Sequence, residues 1–271
     1  MAADPSARTD SRSSRLRPAA CAQPWILTYH SVCERTSDPY GITVSPERLD
    51  RQLAWLRRRD YTGVSIATLL RTPADRRRGL VGLTFDDGYT DFVREALPVL
   101  LRHGCSATLF VLPGRLDGSN EWDRPGPHKP LLGAAGIRAA ADAGMEIGSH
   151  GLRHRDLTSL SAAELRQETH RSRELLHDIT GVTPEGFCYP YGSVDERVVE
   201  SVREAGYGYG CALTPGPRPG PFTLPRTHIS HADLALRLWA KDLRHRLRHR
   251  AEAAPDRLLP AAASAVSGER R

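Results

Sequence analysis

The sequence lacks the features that define several common classes of protein. Its five cysteines are odd in number, widely spaced and free of any C-x-x-C pair. This pattern argues against a disulfide framework or a thiolate zinc site and is typical of a reducing compartment. No run of eighteen apolar residues occurs anywhere in the chain, so we expect no transmembrane segment.

The first residues also lack the apolar core of a standard signal peptide. Residues 1–23 are rich in Arg, Ser, Ala and Pro, a composition too polar to offset the entropy of ordering. We therefore expect a disordered N-terminal segment and a cytoplasmic protein. A misassigned start site would leave export open.

Positive charge is concentrated at the two ends of the chain. The formal net charge is +6, of which residues 1–23 carry +2 and residues 237–271 carry +5. The body is thus close to neutral, which predicts no nucleic-acid partner. We expect a basic surface helix over 234–250, within a C-terminal segment 232–271 that ends in a flexible tail. Contact of this segment with a membrane or a nucleic acid is the open alternative to a solvated face.

The remaining residues, 24–231, predict an α/β barrel. Seven or eight short apolar segments, the first at 25–29 and the last at 222–228, alternate with helices of about ten to eighteen residues. Such alternation is typical of a parallel sheet closed or nearly closed into a barrel. Residues 113–133 are rich in Gly and Pro and predict a long loop, a kind of segment that often serves an active site.

Polar residues gather at one rim of this predicted barrel. Those that follow the carboxyl ends of predicted strands are His30, Asp86, Asp87, Ser149, His150, Tyr191, Gly192 and His228. Active sites of barrels are built at this end, from the loops that follow the strands. We therefore expect these side chains to converge.

A metal site is the interpretation that best explains this set. His150 and His154 are four residues apart, a spacing that suits two ligands of one metal ion. A carboxylate from another strand end would complete three ligands and leave positions open for water and substrate. Asp86 and Asp87 are adjacent, so one can bind the metal while the other acts as a base. The spacing alone does not say which does which.

Three motifs in order give the sequence a family resemblance. Thr84-Phe85-Asp86-Asp87-Gly88, Ser149-His150 to His154, and Tyr189-Pro190-Tyr191-Gly192 resemble the motifs of the polysaccharide deacetylases, the NodB-homology domains of carbohydrate esterase family 4. The resemblance covers roughly residues 24–231. It implies a distorted (β/α)7-type barrel and a hydrolase of carbon–nitrogen bonds other than peptide bonds. The implied reaction removes N-acetyl groups from a carbohydrate, usually a glycan that contains N-acetylglucosamine.

The resemblance also assigns roles. Asp87, His150 and His154 match the metal ligands of the family, and Asp86 matches the catalytic base. The backbone N–H of Tyr191 is implied to hold the oxyanion. The implied cofactor is a divalent metal, zinc in the first place, with cobalt or nickel as alternatives.

The third motif departs from the commonest pattern of the family. Many members have an Arg that pairs with the base where this chain has Cys188, so a different group must orient Asp86. Phe187 to Gly192 instead resembles the F-A-Y-P-Y-G branch, which includes biofilm poly-N-acetylglucosamine deacetylases. Cys188 is interpreted as a small buried spacer rather than a nucleophile.

The catalytic acid and the sugar-binding residues are less well defined. The last family motif, which supplies the acid, is only loosely matched around His228, so His228 is the first candidate and His30 the alternative. His30, Trp122 and Tyr191 are candidate substrate-binding residues, the two aromatic rings by stacking on a sugar.

Three hypotheses follow. The first is a metal-dependent N-deacetylase of a glycan or glycoconjugate. The second is a cytoplasmic small-molecule amide deacetylase with the same chemistry, and the third is a catalytically silent carbohydrate-binding barrel. The sequence leaves the oligomeric state open.

Overall fold

A single nine-stranded parallel sheet forms the centre of the protein. The computed structural model describes residues 24–34, 37–213 and 219–253. The predicted disordered segment 1–23 and the end of the predicted tail, 254–271, lie outside the described residues. The strands of the sheet are β1 (Ile26–Tyr29), β4 (Thr62–Val64), β5 (Leu80–Phe85), β6 (Thr108–Val111), β7 (Glu146–Ser149), β8 (Gly186–Cys188), β9 (Tyr209–Ala212), β10 (Leu224–Pro225) and β11 (Thr227–His228).

The order of the strands makes the sheet a nearly closed barrel. Neighbours run β10-β9-β8-β7-β6-β5-β1-β11, and β4 pairs with the first half of β5. The two outermost strands, β10 and β11, are consecutive in the chain, and a single residue, Arg226, separates them. The segment 224–228 therefore bridges both edges of the sheet. The predicted barrel of parallel strands is confirmed.

The single last strand predicted over 222–228 is wrong. The chain instead forms two strands of two residues, one paired with β9 and the other with β1. One straight strand cannot reach partners on opposite edges, and Pro225 has no N–H to continue a ladder. The break turns the side chain of Arg226 into the barrel, where it is 1% exposed.

Helices cover the outside of the barrel. They are α1 (Pro46–Arg57), α2 (Ile66–Arg71), α3 (Leu97–Arg102), α4 (Ala134–Asp142), α5 (Ala162–Arg166), α6 (Ser172–Thr180), α7 (Glu196–Glu204) and α8 (Ala235–Ala253). Ser45 caps α1 by accepting the N–H of Arg48, and Ser161 forms a capping box with Glu164 at α5; serine is a favoured residue at both positions. A short π-helical segment, Phe92–Ala96, leads directly into α3, and a second, Gln167–Arg171, joins α5 to α6.

The core lies between the sheet and the helices. The apolar side chains of β1 are buried, as are those of β5 after Leu80. Most of them pack in one cluster with three leucines of α1, Leu49, Leu53 and Leu56. Burial on both faces explains why these strands are continuous apolar runs.

Two connections cover the mouth of the barrel. A small parallel sheet joins β2 (Ser31–Val32) to β3 (Thr43–Val44). The long loop 113–133 contains only one turn of 3-10 helix, Pro113–Arg115, and is anchored by bridges between Tyr89 and Leu131 and between Ser119 and Pro130. Within the described part of the chain, no helix has the length and apolar character needed to cross a membrane.

Candidate active site

The two aspartates of the signature motif follow β5 at the carboxyl rim. Asp87 and Gly88 both have a left-handed backbone, with φ of 70° and 71°. A Cβ at Gly88 would lie 2.9 Å from Cγ1 of Val111, so glycine is required there. This sharp turn separates the side chains of Asp86 and Asp87, although both are buried.

The histidine pair follows β7 on a short loop. His150 donates its Nδ1–H to the carbonyl of Cys188 over 2.8 Å, which leaves its Nε2 lone pair facing the cleft. The buried carboxylate of Glu168 accepts the backbone N–H groups of Leu152 and Arg153 at 2.7 and 3.0 Å. These contacts fix the loop that presents His154.

Backbone strain is concentrated in this site. Five described residues other than glycine have a positive φ, and three of them are Asp87, His154 and Tyr191. Such conformations cost free energy of order 1–3 kcal/mol each and persist where the surrounding structure holds them. Their grouping around one cleft indicates a site built for function.

Asp87, His150 and His154 meet in an arrangement that suits a metal ion. Oδ1 of Asp87 lies 3.3 Å from Nε2 of His150 and 3.4 Å from Nε2 of His154, and the three ligand atoms lie within 4.8 Å of one another. Oδ1 is buried, yet it accepts no hydrogen bond from any described residue. A buried carboxylate oxygen and two imidazole nitrogens at these distances form a set that can hold a cation.

The protonation states of His154 and Asp87 agree with that interpretation. Burial lowers the pKa of His154 to about 3, so its ring is neutral at physiological pH and free to donate a lone pair. Burial disfavours the charge on Asp87, but the two adjacent imidazoles outweigh it and keep its pKa well below the ordinary value. Asp87 is therefore ionised, as a metal ligand must be. Burial lowers the pKa of His150, but its neighbours Cys188 and Asp87 outweigh burial and raise it above the ordinary value, so a metal ion would displace a proton from this ring.

Asp86 is held by a different partner, the Arg226 guanidinium. Nη1 donates to Oδ1 over 2.7 Å and Nη2 donates to Oδ2 over 2.8 Å, which is a bidentate pair. Arg226 also donates to Oγ1 of Thr84 at 3.1 Å and contacts Sγ of Cys188 at 3.0 Å. Burial alone would raise the pKa of Asp86, but Arg226 reverses the effect, and the pKa lies below its ordinary value.

This pair separates the roles of the two aspartates. In a second cluster of possible ligands, formed by Asp86, His150 and Cys188, the ligand atoms also lie within 4.8 Å of one another. In that cluster the carboxylate already binds a guanidinium, so it has no need of a second cation. Asp87 is the better metal ligand, and Asp86 is a fixed, ionised carboxylate beside it.

The cleft above these residues is small and partly aromatic. Its volume is about 240 Å³. Trp122 stacks on the ring of His154, with centroids 4.4 Å apart, and Tyr191 meets the same ring edge-on at 4.5 Å. The long loop thus reaches the site as its composition predicts. Tyr191 is 52% exposed and is the more accessible of the two rings.

The two candidate acids occupy different positions. His30 lines the cleft, its Nε2 is 3.8 Å from Oδ2 of Asp86, and its buried Nδ1 has no hydrogen-bond partner among the described residues. His228 is not among the described residues that line the cleft. Its ring centroid is 6.0 Å from that of His30, and its Nε2 donates to the carbonyl of Gly41 over 3.1 Å.

Arg226 and Glu168 are the site residues that the sequence did not predict. Arg226 supplies the positive charge that Cys188 cannot. It lies at the break between β10 and β11, 38 positions after Cys188 in the sequence. Its only sequence signal is a charged residue between Pro225 and Thr227 in a predicted strand, and charged residues are common on exposed strands. Glu168 lies in a stretch of helix with no local mark of its role.

The fold and this carboxylate–histidine site define a barrel hydrolase of the deacetylase type, and comparison with known proteins shows the family. The model of the polysaccharide deacetylase family matches residues 74–210, about half of the chain. The chain belongs to the polysaccharide deacetylases and is thus a hydrolase of carbon–nitrogen bonds other than peptide bonds. His30 and Arg226 lie outside the matched span.

Several relatives carry related names. YxkH of Bacillus subtilis, whose name places it with the polysaccharide deacetylases, is 27% identical over 82% of this chain and 77% of its own length. The peptidoglycan-N-acetylglucosamine deacetylase PgdA of Listeria monocytogenes is 32% identical over 48% of this chain. The poly-beta-1,6-N-acetyl-D-glucosamine N-deacetylase of Escherichia coli is 25% identical over 72% of this chain. This chain spans only 25% of PgdA and 35% of the Escherichia coli enzyme.

Solved structures share the fold. The deacetylase PplD of Streptococcus pyogenes, in complex with acetate, superposes with a TM-score of 0.68 at 22% identity, over 80% of this chain and 97% of PplD. IcaB of Ammonifex degensii gives a TM-score of 0.64 at 22% identity, over 81% of this chain and 96% of IcaB. At this identity the likeness establishes the fold, the same nearly closed barrel.

Proposed function

We propose that this protein is a metal-dependent hydrolase that removes N-acetyl groups from an N-acetylated sugar in a glycan or glycoconjugate. The observation that carries the proposal is the buried set of Asp87, His150 and His154, with an ionised carboxylate, Asp86, beside it. The names of the relatives support an N-acetylglucosamine-containing substrate. The imidazole and carboxylate donors suit zinc first, with cobalt or nickel as alternatives. Such an ion would acidify water and polarise the amide carbonyl.

Asp86 is the proposed base. Its pairing with Arg226 keeps it ionised and fixes its orientation, so it can accept the proton of the water that attacks the acetyl carbon. The water oxygen bonds to that carbon, and the carbonyl oxygen becomes an oxyanion. We assign the backbone N–H of Tyr191 to hold this oxyanion, because Tyr191 lines the cleft and has a left-handed backbone there.

His30 is the proposed acid. Collapse of the tetrahedral intermediate breaks the carbon–nitrogen bond, and the leaving nitrogen needs a proton to depart as an amine. His30 lies in the cleft beside Asp86, whereas the Nε2–H of His228 is engaged by a backbone carbonyl outside it. The geometry therefore favours His30 over His228 for this step, with acetate and a free amino sugar as products.

Matched substitutions separate the two histidines. We expect His30→Gln to lower kcat for deacetylation by about 100-fold, the lower range for loss of a general acid, and His228→Gln to lower it by less than about 10-fold. The measurement is steady-state kinetics on one substrate with equal metal content. A larger loss for His228→Gln would reverse the assignment.

A substrate panel tests the function itself. Zinc-loaded protein is expected to release acetate from chitooligosaccharides and to generate one free amine per acetate. Comparison with monomeric N-acetylglucosamine separates a glycan deacetylase from a small-molecule deacetylase, since a glycan enzyme turns over the longer chains faster. The Asp87→Asn variant serves as the control for background hydrolysis. Absence of acetate from every acetylated sugar, in protein shown to hold its metal, would contradict the proposal.

A further inference from the structure

The C-terminal helix α8 is attached to the barrel by one face only. Leu238 and Asp242 on that face are 1% and 3% exposed. Asp242 accepts the hydroxyl of Tyr61 over 2.8 Å, and the ring of His245 stacks on Trp25 with centroids 5.7 Å apart. These contacts fix how the helix is rotated about its axis, and so which residues it directs outward.

The opposite face carries an apolar stripe directed into solvent. Its members are Leu236, Trp239, Leu243 and Leu247, exposed by 75%, 45%, 38% and 54%. They recur every three or four residues, so they align along one side of the helix. Among the described residues, ten large hydrophobic side chains are more than about one-third exposed, and four of them lie in this single line.

A row of arginines runs parallel to the stripe. Arg237, Arg244 and Arg248 each follow a stripe leucine by one residue, which places them about 100° around the helix from it. All three are exposed. Two other cations of the helix already form ion pairs within the protein, since Lys241 pairs with Asp233 and Arg246 with Asp242. The outward face is therefore apolar along its centre and cationic along its border.

We propose that α8 docks the enzyme on a membrane surface that contains anionic phospholipid. A helix that lies in the interface places its apolar side among the acyl chains and its basic side among the headgroups. The arginine row complements the negative charge of such lipids, and the leucine and tryptophan side chains complement their apolar region. A nucleic acid would use the arginines but leave the apolar stripe in water. The helix lies on the membrane and does not cross it.

Vesicle binding by the full-length protein tests this proposal independently of enzyme activity. We expect the protein to co-sediment with vesicles of phosphatidylglycerol and phosphatidylcholine, and to bind pure phosphatidylcholine much more weakly. Because each cation near an anionic surface contributes about a fivefold gain in affinity, replacing Arg237, Arg244 and Arg248 by Gln should weaken binding by roughly 100-fold. The triple variant W239S/L243S/L247S should lose binding to a similar extent. Higher salt should weaken the binding of the wild type.

Substitutions elsewhere on the surface provide matched controls. Replacing exposed Arg76, Arg78 and Arg166 by Gln removes the same charge, and Leu101→Ser with Val182→Ser removes exposed apolar groups away from α8. Both controls should bind vesicles as the wild type does, and all variants should keep their thermal stability. Equal binding by the control and α8 variants, or no preference for anionic vesicles, would overturn the proposal. A dimer would also overturn it, if sedimentation velocity showed that the wild type is dimeric and does not bind vesicles, and that W239S/L243S/L247S is monomeric. The stripe would then be covered by a second copy of the chain.

Discussion

Asp86→Asn is expected to lower kcat for N-deacetylation by about 10²- to 10⁴-fold, the range for loss of a general base. The amide keeps the shape of the side chain but cannot accept the proton of the attacking water. Metal content should be unchanged, because Asp87, His150 and His154 remain. Steady-state kinetics of the purified variant measure the loss of kcat, and metal analysis checks that the metal content is unchanged.

Asp87→Asn is the matched control for that result. It removes the same charge from the next residue, but it should lose the bound metal as well as activity. Because Asp86→Asn leaves Arg226 buried without its partner, at a cost of about 3–5 kcal/mol, the folding of the variant must be verified by its thermal transition. If Asp86→Asn lost the metal and Asp87→Asn kept it, the assigned roles would be reversed.

The second large effect is expected from Arg226→Met. Arg226 is the cation that keeps the pKa of Asp86 below its ordinary value, and burial alone acts in the opposite direction. Without the guanidinium the pKa of Asp86 rises, so the base is protonated over more of the acidic range. We expect the acidic limb of the kcat/KM profile to move to higher pH by about 1–3 units, together with a loss of about 3–5 kcal/mol in unfolding free energy.

Arg226→Lys separates the effect of the positive charge from the effect of the bidentate geometry of the Arg226–Asp86 pair. An ammonium group keeps the positive charge but cannot form the bidentate pair. We therefore expect an acidic limb between those of the wild type and Arg226→Met, and a lower kcat from poorer orientation of Asp86.

In the wild type, the Arg226–Asp86 pair stabilises the folded protein fully at pH values above the pKa of an exposed aspartate. This stabilisation is lost as the pH falls through the lower pKa of folded Asp86. A folded Arg226→Met variant with an unshifted acidic limb would show that Arg226 does not control the base.

The Arg226 pair also answers the question raised by Cys188. The sequence shows that the usual arginine is missing from the third motif, but it does not show what replaces it. In the structure the guanidinium of Arg226 comes from between β10 and β11, pairs with Asp86 and touches the Cys188 sulfur. The small buried side chain of Cys188 leaves room for it, which agrees with the prediction of a spacer.

Local patterns predicted most of the fold and the centre of the site. Apolar strands and helix caps depend on near neighbours in the chain, and the caps Ser45 and Ser161 are of a residue type favoured there. The motif spacing brought Asp86, Asp87, His150 and His154 to one rim because parallel strands share their carboxyl edge. The structure supports this convergence, and the catalytic and metal-binding roles of these residues remain predictions.

The parts that escaped prediction depend on distant segments of the chain. The split of the last strand follows from closure of the barrel, which requires residues 224–228 to pair with both edges of the sheet. Arg226 pairs with Asp86, which lies 140 positions away in the sequence, and a local sequence pattern cannot predict such a contact. The left-handed backbone of Asp87, His154 and Tyr191 is likewise imposed by the assembled site, since a positive φ is uncommon in residues other than glycine.

The most direct test of metal-dependent deacetylation is acetate release from chitooligosaccharides before chelation, after chelation and after readdition of zinc. The wild type is predicted to release acetate when loaded, to lose activity when chelated and to recover it with zinc, while Asp86→Asn stays inactive in all three states. Release of acetate that continues after complete removal of the metal, and in Asp86→Asn, would contradict the central claim.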